Sequence, residues 1–233
     1  IRVLFRSAVS RSARAPSDAP APAVDGNALL SFVDGITPQQ RDDVLFSVQL
    51  ALRGASGAFD RFAQTEAWYK KYTEILERLG WTSEQFAFAR HDQQEGELRM
   101  DQAALALIAA IATQNQLAVL NEAIQALETL AEDDKTLRLF DFHTSTQASG
   151  NFQLGAVQTA SNGALSLALG AFYFKSHDAR RRVLFVKWGA QQLEFWTAAQ
   201  RLTLNTTQYA TLRDAVERKL GQEAQDFIAD LSV

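Results

Sequence analysis

Residues 139–146 read LFDFHTST. Side chains on a β-strand alternate between faces, so as a strand this stretch would line Asp141, His143 and Ser145 along one side. An acid, an imidazole and a hydroxyl in a row have the composition of a nucleophilic triad, in which a base activates the hydroxyl and the acid orients the base. The spacing does not favour that chemistry. Same-face neighbours on a strand start roughly 6.5–7 Å apart, known triads gather their members from separate elements beside an oxyanion hole, and the chain has no G-x-S-x-G elbow. The leading expectation puts the three polar residues on the solvated face of a sheet, with Phe140 and Phe142 toward the core. A binding role for His143 comes second, and a hydrolase centred on His143 is a lower-ranked expectation.

Other catalytic and ligating sets are thin. The three histidines are His91, His143 and His177, and two of them sit in the dipeptides His91-Asp92 and His177-Asp178, which read as loops. No H-E-x-x-H spacing occurs, and without cysteine there are no thiolate zinc sites, iron–sulfur clusters, thiol nucleophiles or disulfides. Glu95 with Glu97, and the run Glu132, Asp133, Asp134, read as solvated acids. GASG at 54–57 lacks the lysine and preceding strand of a phosphate-binding loop. Neither a cofactor nor a metal is expected.

The stretch with the strongest binding chemistry is residues 163–196, GALSLALGAFYFKSHDARRRVLFVKWGAQQLEFW. Leu165, Leu167, Leu169 and Tyr173 fall on one face of its first segment, and Ala164, Ser166, Ala168 and Phe172 on the other. In the second, Val183, Phe185 and Lys187 oppose Leu184, Val186 and Trp188. Both faces are largely apolar, the pattern of a central hairpin covered on both sides. Its length also suits a membrane-inserting hairpin, whose strands need roughly 9–11 residues. Aromatic residues and arginine dominate binding hot spots, so Lys187, Trp188, Trp196, Arg180, Arg181 and Arg182 are the expected contact residues. The competing reading of the arginines is a solubilising turn beside a sticky strand.

These residues must be positioned by elements the sequence also announces. Thr37 with Pro38 and Gln40 writes a helix start, and Val44, Leu45, Val48, Ala51 and Leu52 form its apolar face, with Gly54 as the expected stop. A second helix is expected after Asp60, through Phe62, Tyr69, Tyr72, Leu76 and Leu79, closed by Gly80. Phe86 and Phe88 then suggest a short strand. Asp101 is the expected cap of a long helical run whose first stripe is Leu105, Ile108 and Ile111 and whose second is Leu117, Leu120, Ile124 and Leu127; Thr113 with Gln116 between them has the residues of a cap, so the run reads as a helical hairpin or as one kinked helix. Four strands are expected at 136–146, 151–160, 163–175 and 182–197, with connections so short that they must be antiparallel. Asn205 and Gln208 begin a last helix, with a stop at Gly221 and a short amphipathic tail through Phe227, Ile228 and Leu231. LERLGWTSEQF (76–86) and VERKLGQEAQDF (216–227) echo one another, as two helix-then-strand halves would.

The expected fold class is α+β: an antiparallel sheet of four to five strands in the C-terminal half, packed by N-terminal helices and a C-terminal helix. Residues 1–26, with four arginines and three prolines, form a basic, Pro-containing arm with the look of a transit peptide or a solvated tail. Residues 27–233 are expected to be one domain, mainly helical over 27–131, sheet over 136–200 and helical over 205–233. The formal charge of −4 gives no general electrostatic basis for nucleic-acid binding. Neither an apolar leader of signal-peptide length nor an apolar membrane helix is read, and a soluble protein, cytoplasmic or exported, is expected.

The stretch RVLFVKWGAQQLEFWTAAQRLTLNTTQYATLRDAVERKLG, residues 182–221, resembles small bacterial virulence-associated proteins of unassigned chemistry, including accessory proteins encoded beside helical pore-forming toxins. The ordering of an aromatic-rich strand, an L-x-L-N step and an amphipathic helix carries this resemblance. It implies an α/β or α+β protein that acts by interaction. The expected function is accordingly a non-enzymatic binding or accessory protein of a bacterial toxin or virulence system, with a protein partner and with homo-oligomerisation compatible. A membrane-active protein using the 163–196 hairpin is the alternative.

Overall fold

A computed structural model of the chain describes residues 3–4, 22–83, 87–91, 97–130, 134–146, 149–176, 184–185, 187–189 and 193–229. In chain order the elements are β1 (Val3–Leu4), β2 (Ala23–Asp25), β3 (Ala28–Phe32), α1 (Pro38–Ala58), α2 (Thr65–Arg78), β4 (Trp81–Ser83), β5 (Ala89–Arg90), β6 (Glu97–Arg99), α3 (Met100–Ala109), α4 (Gln114–Glu128), α5 (Lys135–Thr144), β7 (Ser149–Thr159), β8 (Leu165–Ser176), β9 (Lys187–Gly189), β10 (Leu193–Leu204) and α6 (Thr206–Ala229).

The helices start where local chemistry dictates. Thr37 Oγ1 accepts from the Gln40 amide at 3.2 Å, and Gln40 Oε1 accepts from the Thr37 amide at 2.9 Å, so α1 opens with two otherwise orphaned donors satisfied. Thr113 and Gln116 repeat the device for α4 at 3.2 and 3.0 Å. Asn205 Oδ1 accepts from the Gln208 amide at 3.0 Å at the head of α6. The structure corrects the expected stops. Gly54 lies inside α1 and Gly221 inside α6. A Cβ at Gly54 would fall 2.6 Å from Ile75 Cδ1, so this glycine permits close packing of α2 and does not end its helix. Because α6 runs through Gly221, the second half of the internal echo continues as helix and forms no helix-then-strand unit. Asp101 lies in the first turn of α3, behind Arg99 at the cap position.

The fold class is α+β as expected, with more strands than anticipated. The main sheet runs β1-β2-β3-β7-β8-β10-β4, with β5 also on β10, and β6 pairs with β9 in a separate ribbon. All pairings are antiparallel except β3 with β7, where Ala28 opposes Gln153 and Phe32 opposes Val157. The helices from α1 to α5 lie between β3 and β7, which supplies the long crossover that a parallel pair requires. Residues 84–86, including Phe86, are outside the described residues; the flanking β4 and β5 both join β10.

Helices cover both faces. On one side α1, α2 and α6 bury Val44, Val48, Trp68, Tyr72, Leu76 and Tyr209 against Leu165, Leu167, Leu169, Leu202 and Leu204. On the other, α3, α4 and α5 bury Met100, Ile108, Leu120, Ile124 and Phe140 against Phe152, Leu154, Phe172 and Phe195. The two-sided apolar pattern of residues 165–172 follows directly, since every residue in that run is buried. The stretch 163–196 is not one simple hairpin. β8 pairs with β10 from Leu193↔Ser176 to Leu204↔Leu165, while β9 leaves to pair with β6. Among the described residues no helix is long and apolar enough to cross a membrane.

Residues 136–146 require a second correction. They form α5, followed by a single bridge at Ser145, and not a strand. Phe140 and Thr144, four apart, are each 1% exposed and face inward together, which is helical spacing.

Candidate binding cleft

In a helix, positions 141 and 143 no longer share the face that a strand would give them. With about 100° per residue, position 143 is carried to the far side of the helix from position 141, and Ser145 Oγ donates to the Asp141 main-chain carbonyl at 3.0 Å. The common face that a strand would have provided does not exist. His91 lies in the chain after β5, its amide donating to the Phe195 carbonyl at 2.7 Å. His177 and Asp178 are outside the described residues. Among the described residues no three His, Asp or Glu side chains gather as a metal site would require.

The expected contact residues also separate. Trp188 is 0% exposed and tilts against Phe174 at 6.3 Å, a core residue of the α3/α4 side. Lys187 is exposed on the β6–β9 ribbon and pairs with Glu97 at 2.7 Å. Arg180, Arg181 and Arg182 are outside the described residues. Trp196 lies on the opposite side of the molecule from Trp188, and there the structure builds a cleft.

Antiparallel register brings Trp196 of β10 opposite Tyr173 of β8, and Asn151 of β7 opposite Tyr173 from the other side. The Trp196 and Tyr173 rings lean against each other in a tilted contact, 5.1 Å between centroids and 30° between planes. Two residue pairs further along, on the same face, Lys175 opposes Glu194. Lys175 Nζ sits 5.6 Å from the Trp196 ring centre and 6.0 Å from that of Tyr173, and Arg90 Cζ of β5 sits 6.0 Å from the Trp196 ring. Arg90 also approaches Glu194 at 3.8 Å. Such exposed pairs are each worth about 0.5–1 kcal/mol or less, so both cations can turn to a ligand at small cost.

The opposite wall is the start of α2. Ala63, Gln64, Thr65, Glu66 and Ala67, with Phe88 before β5, complete a cavity of ≈ 480 Å³ over Tyr173, Lys175 and Trp196. This is inside the roughly 300–1,000 Å³ range of small-molecule sites. The turn that sets this wall is held by Asp60, whose carboxylate accepts the Phe62 and Ala63 amides at 2.8 and 2.9 Å, bonds that lower its pKa. It is tied to the sheet by Asn151 Nδ2, which donates to the Arg61 carbonyl at 2.7 Å.

Behind the cleft lies a cluster of buried aromatic rings. Tyr69 meets Phe88 edge-on at 5.0 Å, and Trp68 stacks on Tyr72 at 5.5 Å. Burial pushes the Tyr69 and Tyr72 phenols far above their ordinary value, so both remain neutral beside the buried Gln153 amide. Of the expected contact residues that are among the described residues, then, Trp196 alone lines the cleft. Tyr173, Arg90, Phe88 and Glu66 were not singled out as a site. The alternation of Tyr173 and Lys175 on one strand face was a legible signal, but their register with Trp196 was not.

No known sequence family and no curated protein sequence matches the chain. Among solved structures its fold is similar to that of a delta-endotoxin, with a TM-score of 0.50 over 84% of this chain and 90% of that one at 12% identity. Activated Cyt2Ba from Bacillus thuringiensis subsp. israelensis gives a TM-score of 0.45, over 78% of this chain and 98% of that one, at 10% identity. The Evf virulence factor gives 0.37, over 85% and 82%, at 11% identity.

Proposed function

We propose that the protein acts by binding, in a toxin or virulence role, and that the cleft of Tyr173, Lys175, Trp196, Arg90 and Phe88 is where it meets its target. The observation that carries this reading is the pair of half-buried aromatic rings held in cross-strand register with two cations against them. Rigid aromatic area beside flexible positive charge is the composition of binding hot spots. The toxin setting is suggested by the delta-endotoxin among the similar folds. Lys187, and in the sequence between β8 and β9 Arg180, Arg181 and Arg182, are proposed as further contacts for a protein partner.

The test is recovery of partners from the native source with the wild-type chain and with a Trp196→Ala, Lys175→Gln double variant of unchanged circular dichroism. A specific partner retained by the first and lost by the second is expected. Equal recovery by both would remove the cleft from the function.

Membrane activity is the second reading. Adjacent β7, β8 and β10 have 11, 12 and 12 residues, enough for strands that cross a bilayer, which need roughly 9–11. Both faces of these strands lie under helices, so insertion requires one helical layer to move away.

A further inference from the structure

We infer that the α1–α2 pair is an opening element: it parts from the sheet as a unit, between Gly35 and Gly80, while α3 and α4 stay packed, and the cleft comes apart when it does. This goes beyond the binding reading above and does not rest on it.

The two faces of the sheet are sealed unequally. Under α1 and α2, Gln153 of β7 is 0% exposed and lies against the Tyr69 and Tyr72 phenols, yet neither of its amide atoms completes a hydrogen bond. The Tyr72 hydroxyl and Trp81 Nε1 are likewise buried without a partner, as is Gln200 Oε1, on the same face of β10 as Leu202 and Leu204. Under α3 and α4 the corresponding buried amide, Gln116, is fully used. Its Nε2 donates to the Ala156 and Ser166 carbonyls at 2.9 and 3.1 Å, and its Oε1 accepts from the Thr113 amide at 3.0 Å. Among the described residues, Ser31 Oγ is the one unpartnered buried atom that strand alternation places on that side, with Leu29. Water satisfies the orphaned atoms once α1 and α2 lift, whereas lifting α4 breaks bonds already made. Buried groups left unsatisfied lose solvation without a return, so the layer that covers them opens at the lower free energy.

The pair is also built to move as one piece. Trp68 Nε1 of α2 donates to Ser56 Oγ of α1 at 3.0 Å, and Gly54 lets Ile75 pack closely across the same interface. At its two ends stand glycines in the left-handed region, Gly35 at φ +88° and Gly80 at φ +97°. Element-terminal positions of this kind absorb the rotation of a hinge. The bond from Asn151 Nδ2 to the Arg61 carbonyl, 2.7 Å, ties the pair to β7 and must break on opening. Ala63 to Ala67 form one wall of the cleft, whereas Tyr173, Lys175 and Trp196 belong to the sheet. Opening therefore separates the two sides of the cleft, and a partner seated across it holds the pair closed.

The test is native-state hydrogen exchange of the full chain, read by mass spectrometry on peptides from each helix. Amides of α1 and α2 are expected to exchange together, about tenfold or more faster than those of α3 and α4. Gln153→Met with Tyr72→Phe removes orphaned atoms at similar volume and should slow α1 and α2 about tenfold. Gln116→Met breaks the bonds on the other face. It should speed α3 and α4 several-fold and leave α1 and α2 unchanged, because these open with α4 still docked. Equal exchange of the two helix pairs in the wild-type chain, or earlier exchange of α3 and α4, would overturn the inference whether or not the variants fold. Faster exchange of both pairs in Gln116→Met would show that they open only together, and no slowing by the double variant would remove the unsatisfied atoms as the cause; either result overturns it. Partner recovery is a separate measurement, so the binding reading stands or falls independently.

Discussion

Asp43 is a buried charge that joins two helices far apart in the chain. It is 2% exposed, and Arg213 reaches it from α6 with a two-pronged contact, Nε to Oδ1 and Nη2 to Oδ2 each at 2.7 Å. Gln39 adds a third bond to Oδ1 at 3.0 Å. The pair clips the first long helix to the last, and the carboxylate holds Arg213 firmly in its charged form. Removing one partner of a buried pair strands the other charge, which costs about 3–5 kcal/mol. Arg213→Ala should therefore lower the urea midpoint sharply, and adding Asp43→Asn should recover part of the loss. A change below about 1 kcal/mol would put the pair in the class of solvent-exchanging surface bridges and remove its role as a clip.

At the scale of elements, a few glycines set how closely the helical layers approach the sheet. A Cβ at Gly170 of β8 would lie 2.6 Å from Phe172 Cζ and 2.8 Å from Ile108 Cγ1 of α3, whereas one at Gly57 of α1 would meet nothing within 4 Å. Gly170→Val should overpack this contact and destabilise by about 1–3 kcal/mol. Gly57→Ala should stabilise by about 0.4–1 kcal/mol through the unfolded chain. Thermal unfolding of the two variants should shift in opposite directions; equal shifts would mean that α3 yields freely. The capping boxes at Thr37 and Thr113 were legible because each closes within four residues. Gly54 and Gly221 were not, since a glycine has the same letter whether it ends a helix or makes room for a neighbour such as Ile75. Residues 139–146 were misleading for a related reason: a short run with aromatics at both 140 and 142 fits strand alternation, and only burial of Phe140 with Thr144 identifies the helix.

For the whole molecule the open question is whether the sheet ever leaves its helices. If it does, micromolar protein should release dye from anionic liposomes, and a cross-link between α2 and β8 should stop the release. Absence of leakage would remove the membrane reading and leave the folded cleft as the working surface. The sequence by itself determined the α+β class, most helix starts, and the two-sided burial of residues 165–172, because these depend on periodicity and on contacts between near neighbours. Only the tertiary structure decided that β3 lies parallel to β7, that Trp188 is core while Trp196 lines a cleft, and that Tyr173, Lys175 and Arg90 meet there. Those outcomes depend on strand register and on which side of the sheet each helix takes. Both are set by packing between residues far apart in the chain, where composition and spacing leave no local trace.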